Sequence, residues 1–342
     1  YSDMSKEQSI KERDRVHELE QTLNAVRQVH LASLPTPLAR LSRLEQQWGH
    51  SGLYIKRDDM TGLGPGGNKL RSLEFLLGEA AEEKADVILA SGPLQSNLCT
   101  LAAAACAKAG LQCILVHNGD EPRHMEGNVL LNRLLGAQSH YLGPVTAEER
   151  SAYVEKLARE LSGGHRPYIV RNGATSGRGC LGYVKAVPEL VRQTREMGLE
   201  NLTLFAPGGN GGVASGLIYG NALCGFPFHI VIISVENDRE TLTADIRRTI
   251  KEAEGILDLP FPGALEDGCV IDDSYRGGGW GENTDQSSQI ITQFAQAEGI
   301  LIENIYNSKV LVGMRDYVCS GKTDGPACFL HTGGFGSLFA QY

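Results

Sequence analysis

The chain has 342 residues, of which 42% are hydrophobic and 21% charged, and its acidic residues outnumber its basic residues by 41 to 32. A chain of this length predicts more than one hydrophobic core, and the composition is typical of a globular protein. The acidic balance argues against nucleic acid or an anionic membrane as the main partner. No apolar run approaches the roughly 20 residues that span a bilayer. We therefore expect two domains or lobes, with neither a nucleic-acid nor a membrane partner.

The first half of the chain predicts helices that alternate with strands. An amphipathic helix over residues 5–30 comes first, followed by an extended segment at 34–38 and a short strand at 53–59. Further helices are predicted at 70–83, 98–109, 126–135 and 146–161, and further strands at 86–90, 112–117, 138–142 and 168–170.

The second half repeats this alternation around a polar, glycine-rich segment at residues 272–282. Helices are predicted at 181–198, 214–224, 240–255, 284–298 and 309–320, and strands at 202–206, 229–235 and 327–331. Strands that alternate with helices in this way indicate βαβ units and a parallel sheet, so the predicted fold class is α/β.

The cysteines and histidines indicate the compartment and the absence of a metal site. None of the eight cysteines belongs to a CxxC pair, and Cys99, Cys106 and Cys113 lie in an apolar, alanine-rich stretch. This pattern predicts reduced thiols within a core and favours a cytoplasmic protein without disulfides or zinc. The histidines show no spacing that is typical of metal ligands, so we expect no metal. The charged N-terminal stretch is unlike a secretory signal.

The first stretch that indicates chemistry is GPGGNKLR at residues 64–71. Its glycines allow a tight turn and a close approach to a ligand, and an amphipathic helix follows Lys69 at once. A lysine in such a turn can be held against a ligand and lose water, which lowers its pKa and frees its amine for Schiff-base chemistry. A helix N-terminus with a solvated lysine explains the same pattern, so the motif alone does not decide.

A second glycine-rich segment, PGGNGGVASG at residues 207–216, lies between an apolar strand and a helix. Backbone N–H groups and the helix dipole can converge there on a phosphate. The segment lacks the GK[ST] of a Walker loop and does not match GxGxxG cleanly, so a dinucleotide enzyme is poorly supported. A tight strand–helix turn without a ligand is the alternative.

Two further turns follow predicted strands. Ser96 and Asn97, at the start of a helix, suit a carboxylate, although an N-cap alone explains them equally well. The segment HTGG at residues 331–334 ends the last strand. Because open α/β sheets bind ligands at the ends of strands, the four segments together predict a ligand site.

From residue 34 onward the chain also carries a specific set of motifs. They are LPTPL (34–38), LYIKRDD (53–59), GPGGNKLRSLEFLL (64–77), GPLQSN (92–97), NGATSGRGCLGY (172–183), GGNGGVASG (208–216), EGILIENIY (298–306) and FLHTGG (329–334). This set resembles the pyridoxal-phosphate (PLP) enzymes of the tryptophan-synthase β-subunit fold, in particular the family of D-cysteine desulfhydrase and 1-aminocyclopropane-1-carboxylate (ACC) deaminase.

The resemblance implies a two-lobed structure of PLP fold type II, in which each lobe is an open, mostly parallel sheet flanked by helices. It implies a large PLP-binding domain at residues 1–71 and 184–342, a small domain at 72–183, and a homodimer. The cofactor is pyridoxal 5′-phosphate and the substrate a small amino acid. The expected activity is that of a lyase or deaminase that performs α,β-elimination to a 2-keto acid and ammonia.

Residue by residue, the resemblance makes Lys69 the Schiff-base lysine, with Tyr306 and Ser96 as further catalytic residues. Asn97, with Asn68 as a second candidate, would bond the cofactor's ring oxygen, and Thr332 its pyridine nitrogen. The phosphate would be bound by Gly209, Asn210, Gly211, Gly212 and Val213. The substrate would be bound by Ser96, Asn97, the backbone at Leu98, and Trp280.

Two positions favour the desulfhydrase branch. Where the deaminase branch typically has Tyr-Glu, this chain has Tyr306 followed by Asn307, and Thr332 replaces a leucine. A hydroxyl beside the pyridine nitrogen leaves that nitrogen largely unprotonated, which restrains the carbanion and favours prompt loss of a β-leaving group. We therefore expect β-elimination rather than opening of a cyclopropane ring.

Four departures from the family pattern keep other activities open: Ser72, Leu98, Val213 and Trp280 stand where a lysine, a histidine, a threonine and a tyrosine are usual. Backbone binding of a phosphate survives such changes, whereas the substrate is left undefined. The alternatives are ACC deamination, a PLP-dependent β-replacement synthase, and a PLP-binding protein that has lost catalysis.

Overall fold

The structure is a computed structural model that describes residues 2–341, apart from the side chains of Ser2, Asp3 and Asn172. Contacts between residues divide the chain into two compact units. The large unit comprises residues 2–26, 35–57 and 176–331, and the small unit comprises residues 27–34, 58–175 and 332–341. Each unit contains one open sheet with helices packed against it, which confirms the predicted α/β class.

Residues 2–341 form ten β-strands and twelve α-helices. The strands are β1 (Leu38–Arg40), β2 (Leu53–Arg57), β3 (Val87–Gly92), β4 (Gln112–His117), β5 (Gln138–Tyr141), β6 (Pro167–Ile169), β7 (Thr203–Gly208), β8 (His229–Ser234), β9 (Cys269–Asp272) and β10 (Ala327–His331). The helices are α1 (Ser2–Asn24), α2 (Ser42–Trp48), α3 (Lys69–Glu82), α4 (Asn97–Ala109), α5 (Gly127–Leu134), α6 (Ala147–Leu161), α7 (Gly177–Glu196), α8 (Gly212–Leu223), α9 (Arg239–Leu257), α10 (Asp285–Glu298), α11 (Asn307–Cys319) and α12 (Phe335–Leu338).

The sheet of the large unit has six strands in the order β1-β2-β10-β7-β8-β9. Strand β1 is antiparallel to β2, and the remaining pairs are parallel. In the register of the central strands, Phe329 of β10 lies between Ile55 of β2 and Phe205 of β7. These three side chains belong to one core with α2, α10 and α11, so those helices cover one face of the sheet. The continuous apolar sequence of β7 is typical of a strand that is buried on both faces.

The sheet of the small unit has four parallel strands in the order β5-β4-β3-β6. Alternate residues of β3 enter different cores, because successive side chains of a strand point to opposite faces. Ile88 and Ala90 pack with α3 and α4, whereas Val87 and Leu89 pack with Val154 of α6. The four-stranded sheet is therefore a middle layer between helices.

Helix α1 is amphipathic, as predicted, and it buries Val16, Leu19 and Leu23 while Ile10 stays exposed. The predicted helix extends to residue 30, but α1 ends at Asn24. The reason is tertiary: residues 27–34 belong to the small unit and bind α3 there. The carbonyl of Glu74 accepts the Val29 N–H, and the Glu74 carboxylate accepts the N–H groups of residues 31 and 32. No helix within residues 2–341 is long and apolar enough to cross a membrane.

Candidate functional site

Lys69 is the first residue of α3 and follows a glycine turn in the small unit. The turn needs glycine: Gly66 has φ +78°, and a Cβ on it would lie 2.1 Å from the Asp59 carbonyl oxygen. The partly buried Lys69 donates from Nζ to the Gly173 carbonyl oxygen at 2.7 Å. Burial lowers the pKa of the Lys69 amine to about 8. A lysine with such a pKa is about one-tenth neutral at pH 7, far more than an ordinary lysine, and can act as a nucleophile or base.

The Lys69 turn is joined to the segment that carries Thr332, which also belongs to the small unit. The backbone N–H of Asn68 donates to the Thr332 carbonyl oxygen at 3.0 Å, and Gly67 forms an antiparallel bridge with Gly333. Asn68 and Thr332 are 8% and 7% exposed. The structure thus brings together three residues that the sequence predicts as cofactor contacts: Asn68, Lys69 and Thr332.

A buried ion pair fixes the start of α3. Arg71 is two residues beyond Lys69, and its guanidinium binds the Asp58 carboxylate through Nε at 2.7 Å and Nη2 at 3.0 Å. Both side chains are at most 1% exposed. A bidentate pair of this kind is rigid, since two parallel hydrogen bonds define both position and orientation. Asp58 thereby orients the helix turn that carries Lys69.

The predicted carboxylate site lies at the N-terminus of α4. Ser96 is the N-cap, and its Oγ accepts the Cys99 N–H at 3.2 Å. The N–H groups of Asn97 and Leu98, in the same first turn, have no acceptor within the helix and are available to an anion. The Leu98 side chain is buried in the core of the small unit, so only its backbone can contact a ligand. The turn can therefore bind a carboxylate through its backbone and the Ser96 hydroxyl.

The amide of Asn97 is oriented by Asn128 of α5, which is fully buried. The Asn128 amide group donates to the Asn97 Oδ1 at 2.8 Å and to the Gln95 carbonyl at 2.9 Å. The Gln95 side chain accepts the Asn128 N–H at 2.8 Å in return. Because the Oδ1 of Asn97 is engaged, its Nδ2 is left as a donor. This orientation suits an anionic oxygen as the ligand of Asn97.

In the large unit, the five residues predicted to bind a phosphate comprise the loop after β7 and the first two residues of α8. Gly211 caps the helix with φ +93°. The first-turn N–H groups of α8 lack acceptors within the helix and point toward the loop. Gly209 is packed against Tyr306, since a Cβ on it would lie 3.1 Å from the Tyr306 Cε1. Backbone donors at a helix N-terminus, with no side chain to fill the turn, form a cradle that fits a phosphate group.

Tyr306 and Trp280 also meet in the large unit. The indole Nε1 of Trp280 donates to the Tyr306 hydroxyl at 2.9 Å. Burial raises the pKa of the partly buried Tyr306 to about 12, so its hydroxyl is protonated at neutral pH. Glu303 is 1% exposed and accepts the N–H groups of Tyr306 and Asn307 as well as the Asn307 amide. Glu303 and Asn307 therefore fix the backbone that presents the Tyr306 hydroxyl.

Three residues at these sites are absent from the sequence prediction: Gly173, Asn128 and Glu303. For Glu303 the sequence does contain a signal, because this residue interrupts the apolar run at residues 300–305. A charged residue in such a run indicates a buried carboxylate with several donors. Gly173 and Asn128 contribute hydrogen bonds to residues far away in the sequence, which no spacing encodes.

His331 and His117 each bind a backbone carbonyl through one ring nitrogen. His331 Nε2 lies 2.8 Å from the Leu301 carbonyl, and His117 Nδ1 lies 3.2 Å from the Pro93 carbonyl. Over the described part of the chain, no group of three or more His, Cys, Asp or Glu side chains could hold a metal ion.

The donor sets fit pyridoxal phosphate, taken unit by unit. The small unit supplies an amine of lowered pKa, an amide donor at Asn97 and a buried threonine at position 332. The large unit supplies a glycine cradle for a phosphate and a protonated phenol. An aldehyde, an anionic ring oxygen and a phosphate are the groups of this cofactor that such residues would hold.

Comparison with known proteins supports this reading. Two relatives assigned as ACC deaminases, from Pyrococcus horikoshii and Pyrococcus abyssi, are 35% and 32% identical to the chain over 312 and 305 residues. These matches cover 91% and 89% of this chain and 93% and 90% of the relatives. D-cysteine desulfhydrase from Salmonella typhi is 32% identical over 330 residues, which is 92% of this chain and 96% of that enzyme.

Solved structures give the same result. The crystal structure of an ACC deaminase homologue matches with a TM-score of 0.85 and 32% identity, over 94% of this chain and 96% of that one. A threonine deaminase from Solanum lycopersicum matches with a TM-score of 0.67 at 17% identity, which shows the fold alone. The family model for pyridoxal-phosphate dependent enzymes matches residues 29–333. The chain therefore belongs to the family of pyridoxal-phosphate dependent enzymes.

Proposed function

We propose that the chain catalyses α,β-elimination on a small amino acid that carries a leaving group on its β-carbon, as in D-cysteine desulfhydrase. With a thiol as leaving group, the Cα–H and Cβ–S bonds break and a Cα–Cβ double bond forms. The resulting aminoacrylate gains a proton at Cβ and becomes an imine, which water hydrolyses, so that the products are a 2-keto acid, ammonia and hydrogen sulfide. The observation that carries the proposal is the Lys69 amine, whose lowered pKa and hydrogen bond to Gly173 suit a nucleophile and base.

PLP, when bound, supplies an aldehyde for the amino group of the substrate and a conjugated ring that takes up the electron pair left at Cα. Lys69 is the proposed point of covalent attachment, and its released amine removes the α-proton. Asn97, with Asn68 as a second candidate, binds the ring oxygen, and the Thr332 hydroxyl binds the pyridine nitrogen. The backbone of residues 209–213 binds the phosphate.

The remaining site residues act on the substrate in this proposal. Ser96 and the N–H groups of Asn97 and Leu98 bind the carboxylate at the N-terminus of α4. Tyr306, protonated because burial raises its pKa to about 12, donates a hydrogen bond to the departing sulfur. Trp280 orients the Tyr306 hydroxyl through its indole N–H.

The leading alternative is ACC deamination, because relatives assigned to that activity are as similar to the chain as the desulfhydrase. Thr332 and Asn307 favour elimination over ring opening. The Asn307 side chain is neutral and its amide group donates to Glu303, so position 307 offers no carboxylate to a ligand.

The test is turnover of a panel of D- and L-amino acids with and without β-leaving groups, and of ACC, followed by detection of the keto acid. We expect sulfide and pyruvate from D-cysteine. Exclusive turnover of ACC would instead establish the alternative, and product formation only after addition of a second nucleophile would indicate a β-replacement synthase. Lys69→Ala removes both the attachment point and the base, so it should abolish turnover and the visible absorption band that borohydride bleaches.

We also propose that the protein is a cytoplasmic homodimer. Helix α5 exposes Leu134 (73% exposed), helix α12 exposes Phe335 (46%), and Phe339 (61%) directly follows α12 in the small unit. Apolar side chains of this size on neighbouring helices favour a protein partner. The buried free thiols Cys99, Cys106 and Cys113 fit a reducing compartment. Light scattering of wild type and of Leu134→Glu tests the dimer, and cell fractionation tests the compartment.

A further inference from the structure

Lys309 is a charged residue in the interior of the large unit to which the proposed chemistry assigns no role. It lies in the first turn of α11 and only 1% of its surface is exposed. A buried ammonium is costly unless hydrogen bonds compensate for the lost water. Its Nζ donates to the carbonyl oxygens of Arg276 and Gly279, at 2.7 Å each. Lys309 therefore binds the backbone of a loop, and not another side chain, through these two bonds.

The loop that Lys309 holds connects β9 to α10 and has little regular structure of its own. Three of its glycines have positive φ: Gly277 (+61°), Gly279 (+115°) and Gly281 (+76°). Glycines in such conformations leave the unbound loop with many accessible states. A cavity of about 340 Å³, lined in part by Lys309 and Gly277, lies beside the loop. The loop has two backbone bonds of its own, from the Gly279 N–H to the Arg276 carbonyl at 3.1 Å and from the Glu282 N–H to the Gly279 carbonyl at 3.2 Å. The Lys309 ammonium binds the same two carbonyls and so ties this turn to α11.

The residue that follows Gly279 is Trp280, whose indole donates to the Tyr306 hydroxyl at 2.9 Å. The side chain of Trp280 is 39% exposed, so its own packing restrains it only in part. Its position depends on the loop backbone, which the Lys309 ammonium binds one residue away. A chain of contacts therefore runs from Lys309 through the loop to the Tyr306 hydroxyl.

We propose that Lys309 is a positioning residue for substrate binding, which fixes the loop at residues 276–279 and thereby holds Trp280 against the Tyr306 hydroxyl. The kinetic consequence rests on the proposed function, since it requires that Trp280 contacts the substrate. Glu282 and Glu303 are the acidic residues whose charges stabilise the buried ammonium. Lys309 does not touch the reacting atoms in this proposal and acts only through the loop.

The first experiment measures the loop without reference to activity. The chain has two tryptophans, so a Trp48→Phe background makes Trp280 the sole indole. In that background, Lys309→Met keeps the length of the side chain but removes the charge and the donors. We expect acrylamide to quench the fluorescence of Trp280 at least about twofold more strongly than in the background protein. Lys251→Met, an exposed lysine on α9 of the same unit, is the matched control and should change nothing.

The second experiment is kinetic. Lys309→Met should raise the KM for the amino acid about tenfold and change kcat less than about threefold, because it removes binding rather than a chemical group. The double variant Lys309→Met/Trp280→Phe should have a KM no higher than the worse of the two single variants, since both act through the same contact. If the two single effects on KM multiply in the double variant, Lys309 acts by another route.

Two outcomes overturn the proposal: quenching of Trp280 that is unchanged in a folded Lys309→Met variant, or an additive double variant. If Lys309→Met does not fold, Gly279→Ala replaces it, because the strained Cβ displaces the same carbonyl without touching the core. Unchanged quenching in a folded Gly279→Ala variant would then count against the proposal. Failure of the proposed function is recognised separately, as the absence of turnover with every amino acid tested, and the fluorescence result still decides the role of Lys309.

Discussion

The backbone N–H of Asn68 donates to the carbonyl oxygen of Thr332 at 3.0 Å, and this bond joins the lysine turn to the end of the last strand. Gly67 and Gly333 form a bridge beside it, in which a Cβ on Gly333 would lie 2.8 Å from the Gly67 Cα. The two turns can approach this closely only without side chains at these glycines. The position of Lys69 therefore depends on residues at the opposite end of the sequence.

Gly333→Ala should weaken the binding of PLP about tenfold or more and lower the melting temperature of the holoprotein, because the added Cβ separates the two turns. Gly110→Ala is the matched control: Gly110 also has positive φ, but a Cβ on it meets nothing within 4 Å. In the control, the free energy of unfolding should fall by only roughly 1–2 kcal/mol, because of backbone strain. Equilibrium dialysis against PLP and calorimetry measure both effects. Equal losses in the two variants would contradict the role of the Gly67–Gly333 contact.

The lowered pKa of Lys69 predicts how covalent capture of PLP by the apoprotein depends on pH. Only the neutral amine reacts, so the capture rate should rise about tenfold per pH unit below pH 8 and level off above it. Stopped-flow absorbance between pH 6 and 10 measures the rate, with Lys69→Arg as the control that shows no capture. A rate that still rises tenfold per unit above pH 9 would contradict the lowered pKa.

The same shift has a consequence for the stability of the apoprotein. Between about pH 8 and 10.5 the unfolded state keeps the proton on Lys69 while the folded state has lost it. Folding is therefore favoured as pH rises through this window, and the contribution of Lys69 is constant below it. Urea unfolding of apoprotein and of Lys69→Met at several pH values isolates this contribution.

The buried pair of Asp58 and Arg71 should stabilise the protein far more than the exposed pair of Arg40 and Glu45. Asp58→Asn leaves the Arg71 charge buried without its counter-ion, which typically costs about 3–5 kcal/mol. The control is Glu45→Gln, in the pair with Arg40, whose side chain is 53% exposed; it should cost less than about 1 kcal/mol. Urea denaturation of both variants measures the difference, and similar losses would show that the buried pair has no special role.

Asn128 offers a test of how the Asn97 amide is oriented. Asn128→Ala removes the donor that engages the Asn97 Oδ1, so the Nδ2 of Asn97 is no longer held toward a ligand. We expect PLP to bind about tenfold more weakly, which corresponds to the loss of about one hydrogen bond. Asn132→Ala is the control, because Asn132 is also buried on α5 but accepts from Thr100 instead. Equal affinity for PLP in wild type and Asn128→Ala would refute the assignment.

Tyr306→Phe distinguishes a proton donor from a residue that only packs in the pocket. Removal of a general acid should lower kcat about 10²-fold to 10⁴-fold, whereas loss of packing or of one hydrogen bond should cost about tenfold or less. Because burial raises the pKa of Tyr306 to about 12, its ionisation should not reduce kcat below pH 10. Tyr219→Phe, whose hydroxyl binds a backbone carbonyl elsewhere in the large unit, controls for the loss of a buried hydroxyl.

The fold was largely predictable because most of its elements are long and periodic. The elements without a prediction are short: β1 has three residues, α2 seven, β9 four and α12 four. At such lengths a period of two or 3.6 residues cannot be recognised. The equally short β5 and β6 were predicted from their place in the alternation of strands and helices instead. Strand β9 is also an edge strand with Val270 52% exposed, so it lacks the apolar run of the central strands.

Helix α7 shows a different limit of prediction from the sequence. The sequence predicts it from residue 181, but it begins at Gly177, through glycines that disfavour an isolated helix. These glycines lie where neighbouring helices approach: a Cβ on Gly177 would lie 2.5 Å from the Glu252 Cβ, and one on Gly216 of α8 would lie 2.4 Å from the Cys180 carbonyl. Close packing between helices thus requires residues that local propensity identifies as helix breakers.

The family motifs predict Lys69, Asn97 and the glycine loop, because those residues carry recognisable chemistry at fixed positions. Residues that act through hydrogen bonds to distant parts of the chain were not predicted, for a physical reason. Asn128 and Lys309 derive their roles from contacts with residues about 30 positions away, and nothing in their immediate sequence distinguishes them from ordinary helix residues. The predicted domain boundaries and the assignment of individual site residues to PLP stay predictions.

The composition of the small unit from three segments has a consequence for how the protein is made. Its last segment, residues 332–341, is the end of the described chain, yet it binds the turn that precedes Lys69. During synthesis the four-stranded sheet is complete long before this segment leaves the ribosome. The turn before Lys69 therefore lacks its contacts with residues 332–341 while the ribosome translates most of the large unit. The turn before Lys69 can thus reach its final conformation only after the segment at residues 332–341 has been synthesised.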